Sequence, residues 1–303
     1  MLYDILIVGG GPAGLTAAIY GARAGKTVAL IERDSIGGQI VFSPMVDNYP
    51  ALPHVSGAEL ANKMYEQVEA LGVEILSEEA VSAEKRADGT YLLQTDFGAH
   101  EGRALILATG VQHRQLDLPG EEELIGAGVS YCAVCDGAFY AGKDVAVVGG
   151  GDTALQDALF LSGICRSVTV LVRRDRFRGE AALAQQLRAR DNVSIRFEHR
   201  PVAYVTLDGV LSGLTVEGPG GQSTLTVDGV FLAVGQEPCS AAFSALARTD
   251  AAGYFDAGEG CAAGVPGLFV AGDCRAKTVR QLATAVGDGA TAALAACAYL
   301  DAQ

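Results

Sequence analysis

The chain has 303 residues, 50% of them hydrophobic, which is enough for two domains that each bury a core. Its 22 basic and 36 acidic residues give a net charge of -14, which repels phosphate backbones and anionic lipid and excludes nucleic acid and membrane surfaces as partners. Its seven cysteines are an odd number containing one close pair, which excludes a structural disulfide framework.

From the N-terminus, residues 4–8 form an apolar run that reads as a buried strand rather than a signal peptide, since no basic segment precedes them. Gly9-x-Gly11-x-x-Gly14 follows, then a helix-spaced stretch over 15–24 and a second strand over 27–31. The second strand ends in Glu32, where a dinucleotide fold places an acid to accept hydrogen bonds from ribose hydroxyls. A lone glycine triplet serves tight packing as readily as binding. In this strand-loop-helix-strand-acid order it predicts a nucleotide site, with the pyrophosphate on bare amides at the helix start. Residues 104–107 are a further strand, closed by Ala108-Thr109-Gly110.

Ser130-Tyr131-Cys132-Ala133-Val134-Cys135-Asp136-Gly137 comes next. The two-residue spacer lets both sulfurs reach disulfide geometry and cycle as a two-electron couple. Zinc is the competing reading, but Cys165, Cys239, Cys261, Cys274 and Cys297 supply no second close pair and read as small buried residues. Asp136 is either a proton donor and acceptor for the pair or an ordinary turn residue before glycine. His54, His100, His113 and His199 lack metal or triad spacing and read as surface or hinge residues.

The first pattern then recurs: a strand over 145–148, Gly149-x-Gly151-x-x-Ala154, a helix to Ser162 and a strand over 167–171. Val172 stands where the ribose acid would be, followed by Arg173, Arg174, Arg176 and Arg178. A carboxylate would repel a 2′-phosphate and guanidinium groups pair with it, so this site is expected to prefer NADPH over NADH; the alternative is a solvated basic turn. The repeat closes with residues 230–232 and Ala233-Val234-Gly235. Residues 267–273 make another strand ending in Asp273, and a long helix is expected from Arg280; its Ala-rich part, broken by Gly287, Asp288 and Gly289, reads as buried rather than membrane-spanning. The expected fold is α/β, with two Rossmann-like dinucleotide-binding domains, the second (114–237) inserted into the first (1–113 and 238–303) through short linkers that suit a hinge.

Joined in this order, the motifs resemble the low-molecular-weight bacterial thioredoxin reductases over essentially the full length. They are Gly9 to Leu15, Gly37-Gly38-Gln39, Asp47-Asn48-Tyr49-Pro50, Cys132-x-x-Cys135-Asp136-Gly137, Gly149 to Ala154, Arg173-Arg174-x-x-x-Arg178, Gly272-Asp273 and Arg280-Gln281. The resemblance implies FAD among Gly9, Gly11, Pro12, Ala13, Gly14, Glu32, Gly38, Gln39, Asn48, Thr109, Gly110, Asp273, Arg280 and Gln281. It implies NADPH at Gly149, Gly151, Asp152, Thr153, Ala154, Arg173, Arg174 and Arg178. Cys135 would lie against the flavin, Cys132 would attack the partner disulfide, and Asp136 would act as acid and base. It further implies a homodimer that rotates its inserted domain and reduces thioredoxin or a thioredoxin-like protein; the cytoplasmic location is expected from the N-terminal sequence and composition.

Four departures stand out. Gly126-Ala127-Gly128 replaces the family's Gly-Arg-Gly, Ala138-Phe139 keeps one of two aromatics, Val172 replaces a His before the arginine pair, and Gln156-Asp157 replaces an acidic pair. Rival readings are a reductase of another dithiol carrier such as a peroxide-detoxifying partner, a ferredoxin-linked relative, and a flavin redox sensor without turnover.

Overall fold

The computed structural model describes residues 1–43 and 45–303. The chain divides into two compact units, Met1–Gln112 with Glu237–Gln303, and His113–Gln236.

In the first unit β1 (Leu2–Val8) and β2 (Val28–Glu32) pair in parallel, joined by α1 (Pro12–Arg23). Pro12 opens α1, where its missing N–H would have no helical partner anyway. α2 (Gly57–Ala70) is capped by Ser56, whose hydroxyl accepts from Glu59 N–H at 3.1 Å, and leads to β3 (Glu74–Ser77). β4 (Ala80–Lys85), β5 (Tyr91–Thr95) and β6 (Ala99–Leu107) form an antiparallel meander. β6 nevertheless pairs in parallel with β1, so the order runs β3-β2-β1-β6-β5-β4.

After β7 (Val111–His113) the second unit begins with α3 (Glu121–Leu124), β8 (Val129–Ser130) and α4 (Ala133–Asp136). It repeats the first crossover with β9 (Asp144–Val148), α5 (Asp152–Ser162), β10 (Ser167–Val172), α6 (Ala181–Arg188) and β11 (Val193–Phe197). A three-stranded antiparallel sheet, β12 (Arg200–Leu207), β13 (Val210–Gly218) and β14 (Gly221–Thr226), precedes β15 (Gly229–Leu232), which rejoins the parallel sheet in the order β11-β10-β9-β15-β8. β16 (Gln236–Pro238) pairs with β7 in a two-stranded ribbon. β17 (Leu268–Val270) then adds to β6, and α7 (Leu282–Asp301) closes the chain.

The fold is therefore α/β with two Rossmann-like folds, and the segment 113–236 lies in sequence between the two parts of the first unit. β1 and β9 are buried on both sheet faces, which is why they read as unbroken apolar runs. In each sheet the strand order reverses beside β1 or β9, and the glycine loops leave their carboxyl ends. α7 is long and apolar enough to cross a membrane by length and composition, but Ala292, Ala293, Ala296 and Cys297 pack into the core with α1. The antiparallel meander and the three-stranded antiparallel sheet are not evident in the sequence, since strands such as β12 are only half-buried and carry no clean alternation.

Candidate active site

In the first unit the glycine loop is built by exclusion of side chains. A methyl group at Gly14 would run into the Gly9 carbonyl oxygen, whereas one at Gly11 would meet nothing, so the loop is tight beneath and open above. Glu32 Oε2 accepts Gly10 N–H at 2.6 Å and Oε1 accepts Asp34 N–H at 2.8 Å, so the expected ribose acid also braces the loop. Each oxygen retains a lone pair for a further donor. Gly38 borders Gly11, and Gly272 borders Ala13. Asn48 Nδ2 donates to Gln281 Oε1 at 3.2 Å, and Gln281 also caps α7. Arg280 donates through Nε to the Asp273 carbonyl at 3.2 Å, its guanidinium 4.0 Å from the centre of the Tyr254 ring. The expected flavin residues that make these contacts thus come from two stretches of chain, 9–48 and 272–281. Gln39 is exposed on the single helical turn Gly38–Phe42.

Two buried polar atoms of the expected flavin residues lie here. Thr109 Oγ1 has no hydrogen-bond partner among the described residues, and Asp273 Oδ1 meets Lys277 Nζ at 3.1 Å as an ion pair without hydrogen-bond geometry. Burial pushes the Asp273 carboxyl upward and Lys277 pulls it back. Asp288, which in the sequence is only a break in an apolar helix, lies beneath. It accepts Gly272 N–H at 3.1 Å, Arg275 Nη2 at 2.9 Å and Lys277 Nζ at 3.1 Å. The Gly272–Asp273 turn is thereby tied to α7.

In the second unit a cavity of about 420 Å³, within the range of small-molecule sites, is lined by Gly149, Gly150, Val172, Arg173, Arg174, Arg176 and Arg178. Gly151 at the start of α5 faces open space. Arg178 N–H donates to the Gly150 carbonyl at 2.7 Å, which brings the arginine turn onto the glycine loop. Asp152 Oδ1 accepts Glu180 N–H at 2.7 Å and staples the same turn. Thr153 is exposed on α5 and Ala154 is wholly buried beneath Gly149. Sequence reasoning missed Arg114, His199 and Arg200, which reach this cavity from β-strand ends distant in sequence.

Cys132 and Cys135 are disulfide-bonded, with Cα atoms 5.3 Å apart. Cys135 N–H donates to Cys132 Sγ at 3.2 Å, an interaction that strengthens when that sulfur carries negative charge. Asp136 follows on the same turn. Burial pushes its carboxyl upward, and the Ser130 hydroxyl, donating to Oδ2 at 2.6 Å, holds it back. Asp136 Oδ1 is buried without a hydrogen-bond partner among the described residues. The buried Glu121 accepts Leu116 N–H at 3.0 Å and the hydroxyl of Tyr131, the residue before Cys132, at 3.4 Å. Tyr131 stacks on His113 at 4.5 Å, and burial pushes that imidazole down to about 4, so it is neutral near pH 7. Cys165, Cys261, Cys274 and Cys297 are buried and their thiols are pushed up by that burial; Cys239 is half-buried.

Comparison with known proteins agrees with this arrangement. The profile of the pyridine nucleotide-disulphide oxidoreductase family matches residues 3–289. The thioredoxin reductase of Bacillus subtilis (strain 168) is 38% identical, covering 99% of this chain and 95% of its own. That of Listeria innocua is 39% identical over 99% of this chain and 94% of its own. The crystal structure of thioredoxin reductase from Streptococcus pyogenes MGAS5005 superposes with a TM-score of 0.95 at 38% identity, covering 100% of this chain and 99% of that one.

Proposed function

The chain belongs to the pyridine nucleotide-disulphide oxidoreductase family, and from that premise we propose that it is a thioredoxin-disulfide reductase that uses a flavin and a nicotinamide nucleotide. The observation that carries the reading is the Cys132–Cys135 disulfide beside a buried carboxylate, in the same unit as an arginine-lined nucleotide cavity. We assign FAD to the first unit, where the open Gly11 amide, Glu32, Thr109 and Asp273 offer donors and acceptors for it. NADPH is assigned to the second, because Val172 offers no repulsion to a 2′-phosphate and Arg173, Arg174 and Arg178 offer pairing.

When bound, the flavin supplies two-electron exchange between a nicotinamide hydride and a disulfide. The protein's own groups do the rest. The electron pair cleaves the Cys132–Cys135 bond. Cys132, its sulfur held by Cys135 N–H, attacks the partner disulfide as a thiolate, and a mixed disulfide forms while one partner sulfur leaves. Asp136 supplies that sulfur with a proton. Cys135 then attacks Cys132 Sγ, restores the intramolecular bond and releases the second partner sulfur. Over the cycle NADPH and one solvent proton convert the partner disulfide to a dithiol. The reading includes a cytoplasmic homodimer with thioredoxin or a thioredoxin-like protein as transient partner, supported by the family resemblance.

Anaerobic titration of the oxidised, flavin-loaded protein tests this. About two equivalents of NADPH per subunit should be consumed as the flavin bleaches, since flavin and disulfide each take an electron pair. Uptake of about one equivalent would disconnect the cysteine pair from the flavin and end the reading.

A further inference from the structure

Ser130 is 4% exposed at the end of β8, and its one hydroxyl has three neighbours on the redox turn. It donates to Asp136 Oδ2 at 2.6 Å, accepts Cys132 N–H at 3.1 Å, and lies 3.4 Å from the Cys132 carbonyl oxygen. A hydroxyl has one proton to give. While Asp136 is ionised, that proton points to the carboxylate. Once Asp136 is protonated, the acid becomes the donor and the Ser130 proton turns to the Cys132 carbonyl. The other carboxylate oxygen, Oδ1, is buried and unpartnered among the described residues, so it faces no competing donor there. Ser130 is the only side chain hydrogen-bonded to Asp136 among the described residues.

We propose that Ser130 is a positioning residue for disulfide exchange: it holds Asp136 against the Cys132 backbone and reorients with each proton that Asp136 gives or takes. This rests on Asp136 acting as acid and base in the proposed reaction. In the exchange step the partner S–S bond breaks as the Cys132–S bond forms, and the Asp136 proton moves to the departing sulfur; Ser130 then donates to the carboxylate left behind. Two further titratable groups bear on the site. The Tyr140 hydroxyl is pushed up to about 12 by burial and by the Asp136 charge. Asp157 lies on the face of α5 that carries Phe160 and Leu161, the residues that pack on Gly137.

The test uses the full flavin-loaded chain, reduced with dithiothreitol, freed of it anaerobically and mixed with either of two disulfides between about pH 5 and 9, the span over which carboxyl and thiol groups exchange protons. Bis(2-hydroxyethyl) disulfide releases a basic alkyl thiolate that needs a proton, whereas 5,5′-dithiobis(2-nitrobenzoate) releases an aromatic thiolate that does not. Ser130→Ala should slow the alkyl reaction about tenfold, as expected for losing a hydrogen bond to a charged group, and move its pH inflection upward. The aromatic reaction should stay within about twofold, Ser130→Thr should restore the alkyl rate, and Asp157→Asn should leave the inflection in place. Equal loss with both disulfides, or an unmoved alkyl inflection, overturns the role of Ser130. If Asp136→Asn also leaves the alkyl reaction untouched, the acid-base reading of Asp136 has failed as well; if Asp136→Asn slows it and Ser130→Ala does not, Ser130 alone is at fault.

Discussion

Removing Arg173 and Arg174 together should convert a nucleotide preference into near-indifference. Both side chains line the cavity beyond Val172, and both are exposed, so each pairing with a 2′-phosphate is screened. A charge-assisted hydrogen bond is worth about 1.5–3 kcal/mol when sheltered, and exposure trims it to about 1 kcal/mol per arginine. Two such losses amount to roughly 2 kcal/mol, or about a 30-fold fall in kcat/KM for NADPH. NADH has no phosphate at that position, so its kcat/KM should change less than about twofold. Stopped-flow flavin bleaching with each nucleotide reads both constants in one assay. The wild-type preference should also shrink as salt shortens the screening length from about 30 Å at 0.01 M to about 8 Å at 0.15 M. Equal losses for the two nucleotides, or a preference indifferent to salt, would refute the phosphate assignment.

Gly14→Ala drives a methyl group into the Gly9 carbonyl oxygen, so the purified protein should carry at least about tenfold less flavin by absorbance while calorimetry still detects NADPH binding to the second unit. Asp288→Asn leaves Arg275 and Lys277 buried with their shared charge gone; a loss of about 3 kcal/mol, or a melting point about 6–12 °C lower, is expected for the first unit, and a drop under about 2 °C would argue against the network. Asp157, pushed up to about 7 by burial, opposes folding when ionised. The Asp157 contribution to stability should therefore decline as pH rises from about 4 through 7, and Asp157→Asn should match the wild type near pH 4 but exceed it by about 1–2 kcal/mol near pH 8, after allowance for partial exposure. Denaturant melts at the two pH values check this; identical curves at pH 8 would remove Asp157 from the account.

The parts of this protein that local backbone chemistry dictates are legible in the amino-acid sequence alone. Buried parallel strands must be apolar throughout, a phosphate loop must lack Cβ atoms, and a redox pair must be close in sequence, so β1, Gly9 to Gly14, Glu32, the second repeat and Cys132/Cys135 announce themselves. What stays hidden depends on side chains meeting across distance. Ser130 is an unremarkable serine until Asp136 turns back onto it, and Asp288 looks like an interruption in an alanine-rich helix until Gly272, Arg275 and Lys277 converge on it. Arg114 just after β7, His199 just after β11 and Arg200 at the start of β12 join the arginine turn only because the fold brings them to one cavity. Asp152 is legible only in part: the glycine motif places it at the start of α5, but not the bond its carboxylate accepts from Glu180 N–H. Backbone geometry repeats with a short period and leaves its trace in neighbouring residues, whereas hydrogen-bond partners are chosen among whatever the chain brings near, and only the folded structure makes that choice.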